Sequence, residues 1–362
     1  MDFSSEPPHS ELLHVQAHEP FNAEPPVSSL VEFNITPEEL VFCRNHGPVR
    51  IFDEDSYTFQ IHNGEQSTTL TLGNLKALPR TNIVAALQCA GNRRNEMGKI
   101  KPVNGVGWND GVVANCRWTG ARLRDVLAHV GVSSTSTNSQ HVCFASYATL
   151  CQDDHYYGSS IPLNKAFSLT DDVLLAYEMN GEPLPSERGG PLRVVVPGVL
   201  GARWVKWLDT IIISSAESPN FYQQRDYKVL PPTVENKQAA IPLWSKYPAM
   251  TALPLNSVVA TAIHDDKDGS LYVKGYATPS DFNVAGVDVS VDDGETWAPA
   301  KITYQEGRWS WALWEANLNV HGSMEHRVVY SRARDTQGNL QKRVCDWNMR
   351  GVAYSAWGWK EW

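Results

Sequence analysis

The chain of 362 residues carries 31 Lys and Arg against 40 Asp and Glu, a formal net charge of -9. The imbalance is local, because Asp2, Glu6, Glu11, Glu19, Glu24, Glu32, Glu38 and Glu39 all precede the first base, Arg44, and without these eight the remaining 32 acids face 31 bases. Such a chain has no broad basic face for nucleic acid, no room for a secretory, transit or twin-arginine signal in its first 43 residues, and no apolar run near the ~20 residues that span a bilayer. The expected address is cytoplasmic, with mitochondria or peroxisomes reached only by a signal not visible in the sequence.

In chain order, residues 1–26 place Pro7, Pro8, Pro20, Pro25 and Pro26 among acids and histidines, and read as an acidic, disordered lead-in. Residues 27–235 mix strand-like and helix-like segments. A helix is predicted from Thr119 through Leu123, Val126, Leu127 and Val130 to a stop at Gly131, on an i, i+3, i+4, i+7 pattern. Residues 192–197 and 207–214 read as buried strands, and the loop Gly198 to Lys206 between them is rimmed with cations. Beyond Pro231 and Pro232 the signals turn to short strands over residues 236–362. They include alternation over 287–291, a hairpin turn at Asp293-Gly294, a return strand opened by 294–297, a strand over 327–334 and a turn at 337–339. About seven strands predict an immunoglobulin-like β-sandwich. The chain as a whole is therefore expected to be α+β, a mixed α/β domain followed by that sandwich.

Six cysteines, at 43, 89, 116, 143, 151 and 345, show neither a CxxC pair nor zinc-like spacing with histidine, and suit reduced thiols. Cys89 differs from the rest. It ends an apolar run, and a small-residue turn with Arg93 and Arg94 follows at once, so nearby cations favour its thiolate. Taken alone, a buried inert cysteine beside surface arginines accounts for this equally well. Cys43, Cys116, Cys143, Cys151 and Cys345 read as packing thiols.

Further segments bear on that choice. Arg44 to Pro48, Gln88 to Arg94, Tyr157 to Pro162, Leu175 to Gly181, Gly189 to Arg193, Val205-Lys206, Arg225 to Lys228, Val287 to Trp297 and Trp347 to Gly351 resemble sulfite oxidases in one continuous order. The resemblance implies a molybdopterin-binding domain of sulfite oxidase type over 27–235 and a dimerising sandwich over 236–362. It places Cys89 as the thiolate ligand of molybdenum in the molybdenum cofactor, Mo-molybdopterin. It gathers Arg44, Arg94 and Arg350 around the substrate anion, with Trp108 and Tyr157 completing the pocket and Tyr157 handling a proton. Its cofactor contacts fall on Arg44, Asn45, His46, Arg188, Arg193, Trp204, Val205 and Lys206. Arg188 stands where the family usually has histidine.

The activity so implied is oxidation of sulfite to sulfate by oxo transfer in a homodimer. No His-Pro-Gly-Gly signature of a haem module is present, so no haem is expected and the electrons pass to an external acceptor, namely dioxygen, a cytochrome c or another carrier. Partners of nucleic acid or membrane type are not expected. The alternative is a nitrate reductase-like or other oxyanion or S-oxide molybdenum oxidoreductase, against which Arg350 speaks, since nitrate reductases typically carry Met there. A cysteine hydrolase and an interaction protein built on the sandwich are the more distant readings.

Overall fold

The computed structural model describes residues 1–133, 140–320 and 327–362. Strands dominate. Among the described residues the longest α-helices, Arg94–Ile100 and Leu123–His129, have seven residues each, and no helix is long and apolar enough to cross a membrane.

Two five-stranded sheets build the first unit. In one, Glu182–Pro183, Leu174–Met179, Val113–Arg122 and Arg80–Gln88 lie side by side and antiparallel, and Arg193–Val195 also pairs with Leu174–Met179. In the other the order is Gln66–Thr71, Thr58–Asn63, Thr210–Ser214, His141–Ser146 and Tyr157–Pro162, with a parallel pairing between Thr58–Asn63 and Thr210–Ser214. Phe59, Phe144 and Ile211 of the second sheet share one core with Leu87, Trp118 and Leu175 of the first.

The helix predicted from Thr119 is shorter than its pattern. Residues 119–122 continue the central strand Val113–Arg122, where Thr119 pairs with Glu178 and Gly120 with Ala176, and the helix begins at Leu123. A strand buried on both faces loses its alternation, so the period that marks strands is absent there. Gly120 is required by that packing, since a Cβ would lie 2.1 Å from the Leu175 carbonyl oxygen. The strands expected over 192–197 and 207–214 are present in shortened form, as Arg193–Val195 and Thr210–Ser214.

The C-terminal part is a β-sandwich. One sheet holds Asn256–Asp265, Ser270–Thr278, Ala312–Asn319 and Lys301–Gln305; the other holds Ala298–Pro299, Val284–Ser290, Val328–Asp335 and Gly358–Glu361. Val259, Val273 and Trp314 of the first meet Val287, Val289 and Val329 of the second in a shared core. Residues 294–297 stay in the turn, where Asp293 and Gly294 take φ of 58° and 87°, and the return strand begins at Ala298.

The lead-in departs most from expectation. His14–Ala17 pairs with Asn22–Glu24, and Leu13, Phe21 and Ala23 pack with Cys43. Glu24 accepts hydrogen bonds from the backbone N–H groups of Asn109 (2.8 Å) and Gly111 (3.1 Å), while His9 stacks on Phe21 and bonds Glu187 at 2.5 Å. The segment is ordered because its acids meet donors on other parts of the chain, which composition does not register.

Candidate functional site

The strand Arg80–Gln88 ends at Cys89, whose backbone N–H donates to Val112 O at 3.0 Å. The chain then turns: Asn92 N–H returns to Cys89 O at 3.1 Å, Arg93 adopts a left-handed φ of 63°, and Arg94 opens the helix Arg94–Ile100. The thiol is thus held at a strand end beside a helix start. It is buried at 6% exposure and accepts the Gly91 N–H at 3.4 Å.

Cys89 lines a cleft with about 790 Å³ of empty space, counting its open mouth. Arg44, Asn45, His46, Tyr157, Arg188, Arg193, Trp204 and Lys206, named from the sequence, share its wall, together with Glu187 and Tyr227. Arg94 and Arg350 stand outside that wall but close enough for their charges, with those of Arg44 and Lys206, to act on His46. Burial, and then these four cations, hold the His46 imidazole well below its ordinary pKa, so it is neutral at pH 7.

Arg94 is seated by glycines. A Cβ on Gly91 would lie 2.5 Å from its guanidinium, on Gly105 2.7 Å, and on Gly351 2.7 Å from its Cγ. Its donors reach the carbonyls of Val106 (2.8 Å), Arg350 (3.1 Å) and Gly351 (3.0 Å), which ties the helix start to the 350–351 turn. Arg350 itself forms a close ion pair with the buried Asp226.

Three predicted residues sit differently from expectation. Trp108 is fully buried in the core of the first unit and, like Arg94 and Arg350, lies off the cleft wall; its indole N–H is buried without a hydrogen-bond partner, and its carbonyl accepts the Asn95 N–H at 2.9 Å. Val205 is likewise a core residue off the wall, whose carbonyl accepts the Val194 N–H at 2.9 Å. Arg188 lines the cleft, yet its donors are engaged by Glu38 (3.0 Å), Phe42 O (3.2 Å), Cys43 Sγ (3.2 Å) and Glu187 (3.1 Å). With these donors engaged by protein partners, it serves as a wall support rather than a free anion contact.

Hydrogen-bond direction separates the two phenols. The Tyr157 hydroxyl donates to Ala202 O at 2.8 Å, so its proton is committed. Tyr227 is different. An Arg44 N–H lies 3.3 Å from His46 Nδ1, and since guanidinium only donates, Nδ1 must be the acceptor. The imidazole proton is then on Nε2 and is donated to the Tyr227 oxygen at 3.0 Å, which leaves the phenolic hydrogen of Tyr227 free for the cleft. Burial pushes Tyr227 up to about 12, so it is protonated at neutral pH. Tyr227 and Asp226 lie in the Arg225 to Lys228 segment that resembles sulfite oxidases, but nothing in the sequence alone says that one faces Cys89 and the other pairs with Arg350.

Lys206 and Arg193, on the same wall, form no ion pair among the described residues; the Lys206 ammonium is held by the Asn45 side-chain oxygen, Glu187 O and the Trp207 ring at 4.4 Å, and Arg193 donates to Arg188 O at 2.8 Å and Trp204 O at 3.1 Å. Burial lowers Lys206 to about 7, with Arg193 adding to the effect, and lowers Arg193 to about 9. Such under-compensated cations favour a buried anion. No group of three His, Cys, Asp or Glu among the described residues could hold a metal. A metal at Cys89 would therefore bring most of its ligands with it, and a pterin dithiolene with a phosphate tail fits a thiol at the strand end and two cations on the same wall that no carboxylate pairs. Burial keeps four of the other thiols protonated, with Cys43 and Cys143 pushed to about 11 and Cys116 and Cys151 to about 12.

Residues 46–222 match the family described as oxidoreductase molybdopterin binding domain, and residues 247–359 that described as Mo-co oxidoreductase dimerisation domain. The chain is 40% identical to sulfite oxidase of Arabidopsis thaliana, over 98% of its own length and 95% of that protein, and 42% identical to sulfite oxidase of Gallus gallus, over 98% and 79%. With mitochondrial sulfite oxidase of Drosophila melanogaster it shares 40% identity while spanning 64% of the fly protein, and with NADH nitrate reductase of Ulva prolifera 34%, spanning 42%. Among solved structures, the sulfane dehydrogenase SoxCD of Paracoccus pantotrophus superposes with a TM-score of 0.77 at 25% identity, covering 99% of this chain and 85% of that one.

Proposed function

We propose that this chain, which belongs to the sulfite oxidase family of molybdenum-cofactor oxidoreductases, oxidises sulfite to sulfate and passes two electrons to an external acceptor. The observation that carries the reading is the buried Cys89 thiol, which shares the cleft wall with Cys151 and is flanked by three arginines, with the cations Lys206 and Arg193 on the same wall. When bound, the molybdenum cofactor supplies the two-electron oxo-transfer chemistry. Cys89 would hold its metal, Lys206 and Arg193 its anionic tail, and Asn45 and Trp204 line its path.

The remaining steps belong to the chain's own residues. Arg44, Arg94 and Arg350 orient the sulfite oxygens, since planar guanidinium groups offer directed donors that a lysine does not. Asp226 offsets one of the three charges, so that the cluster can exist before the anion arrives. Neutral His46 holds the Tyr227 oxygen, and the free phenolic hydrogen is delivered to or taken from the substrate side of the cleft. A homodimer formed through the C-terminal sandwich is part of the same proposal, and light scattering should give twice the chain's 40.3 kDa mass.

The test uses protein made in a host that produces the cofactor. Molybdenum analysis is combined with sulfite-dependent reduction of ferricyanide and nitrate-dependent oxidation of reduced viologen. Molybdenum with sulfite turnover is expected; nitrate turnover without sulfite oxidation would overturn the substrate assignment. In Cys89→Ser, sulfite turnover should fall to background with loss of bound metal, and full activity there would remove Cys89 as ligand.

A further inference from the structure

Asn22, on the segment expected to be a free lead-in, is buried at 1% exposure and tied to the cleft wall. Its side-chain oxygen accepts an Arg44 guanidinium N–H at 3.2 Å and the Asn45 backbone N–H at 3.0 Å, while its amide donates to Pro20 O at 2.8 Å. The neighbouring Phe21 O accepts the Asn45 side-chain amide at 2.9 Å, and the oxygen of that same amide accepts from Lys206. A two-way backbone bridge between Ala23 and Cys43, at 3.0 and 2.8 Å, holds the segment against the loop. Asn22 does not line the cleft, but Arg44, Asn45 and Lys206 do.

We propose that Asn22 is a positioning residue for the anion-binding wall, holding Arg44 and Asn45, and through Asn45 also Lys206, where an anion in the cleft meets them. The proposal rests on the cofactor and sulfite reading of the cleft given above. One oxygen serves two donors from successive residues, so its loss leaves a buried N–H unpaired and removes one of the three contacts that aim the guanidinium, the others being Asn45 O and His46 Nδ1. Wall groups that must be ordered on binding hold an anion less well than groups ordered beforehand.

The experiment compares Asn22→Leu with Asn22→Asp in the full chain, made in a cofactor-producing host. It measures the rate at which pterin is lost during gel filtration, by fluorescence of the released pterin, and the KM and kcat for sulfite of the loaded fraction. For Asn22→Leu, pterin loss should quicken and the sulfite KM rise, each by about tenfold, with kcat little changed. Asn22→Asp keeps the oxygen that accepts from Arg44 and Asn45 but loses the donor to Pro20 O, and should lose pterin more slowly than the leucine variant. Parental pterin retention and KM in the leucine variant would overturn the proposal, as would equal losses in both variants, which would make residue 22 a packing position. Should the leucine variant not fold, Asn22→Ala takes its place with the same two outcomes. A parent that holds pterin without oxidising sulfite would sink the substrate reading alone, because Asn22 is then judged by pterin retention.

Discussion

At the scale of single residues, the two tyrosines of the cleft are nearly matched in type and surroundings and differ in where their protons go. Tyr157 donates to Ala202 O, whereas Tyr227 receives from His46 and keeps its own hydrogen available. Tyr227→Phe is therefore expected to lower kcat for sulfite by about a hundredfold or more, the usual share of a positioned proton donor. Tyr157→Phe should cost about 1 kcal/mol of stability for its lost hydrogen bond and leave kcat within a few-fold. Steady-state kinetics on both variants decides between them, and the opposite ranking would restore Tyr157. Lys206 provides a test without turnover. Its folded-state pKa of about 7 lies below its ordinary 10.5, so between these values the unfolded chain holds a proton that the cofactor-free folded protein lacks. Stability of the cofactor-free protein should accordingly rise from pH 7 to pH 9, and Lys206→Met should flatten that slope in thermal unfolding. A parent with no such rise would show that the ammonium is solvated in the cleft.

At the scale of elements, the site depends on turns more than on the strands that carry them. Helix Arg94–Ile100 starts from a left-handed Arg93, and the loop through Gly105 closes over Arg94. Gly105 has φ of 129°, so Gly105→Ala combines backbone strain with a Cβ 2.7 Å from the guanidinium. It should cost about 1–3 kcal/mol. The displaced Arg94 should also raise the sulfite KM about tenfold. Thermal unfolding and KM measured on one preparation check both effects, and a parental KM would separate Arg94 from substrate binding. The N-terminal strand pair works in the same manner. Glu24 caps the N–H groups of Asn109 and Gly111 and so fixes the loop that carries Trp108, a contact across more than eighty residues.

At the scale of the whole molecule, Arg93 joins the motif that bears Cys89 to the C-terminal sandwich. Buried at 1% exposure, it pairs with Glu96 and donates to Asn256 Oδ1 (2.7 Å), Ala356 O (2.6 Å) and Trp357 O (2.8 Å). Asn92 adds a bond to Tyr276 at 2.8 Å, and the Ala86 N–H one to Trp309 O at 2.8 Å. The strand end that presents the thiol therefore rests on the sandwich. Arg93→Met strands a partly buried carboxylate and several acceptors, and should cost about 3–5 kcal/mol. Arg93→Lys should not rescue it, because an ammonium cannot reach three directions in one plane. Denaturant midpoints of the three proteins test this, and a lysine variant as stable as the parent would show that charge alone matters.

Within the sequence, short-range signals were legible: the cysteine turn with its two arginines, the cationic loop before Lys206, the turn at Asp293-Gly294 and the ordered set of segments that resemble one family. These are set by neighbours along the chain, whose spacing a sequence displays. The tertiary structure alone decided that the acidic lead-in is bound, that Trp108 and Val205 are core, that Arg188 is occupied by Glu38 and Cys43, and that the Tyr157 hydroxyl meets Ala202 O while the Tyr227 oxygen meets His46. Each of these turns on which donor meets which acceptor across distant segments, and on what water is excluded when they meet. Residue type and spacing do not carry that information, because the same arginine or tyrosine is a site group or a strut according to its partner.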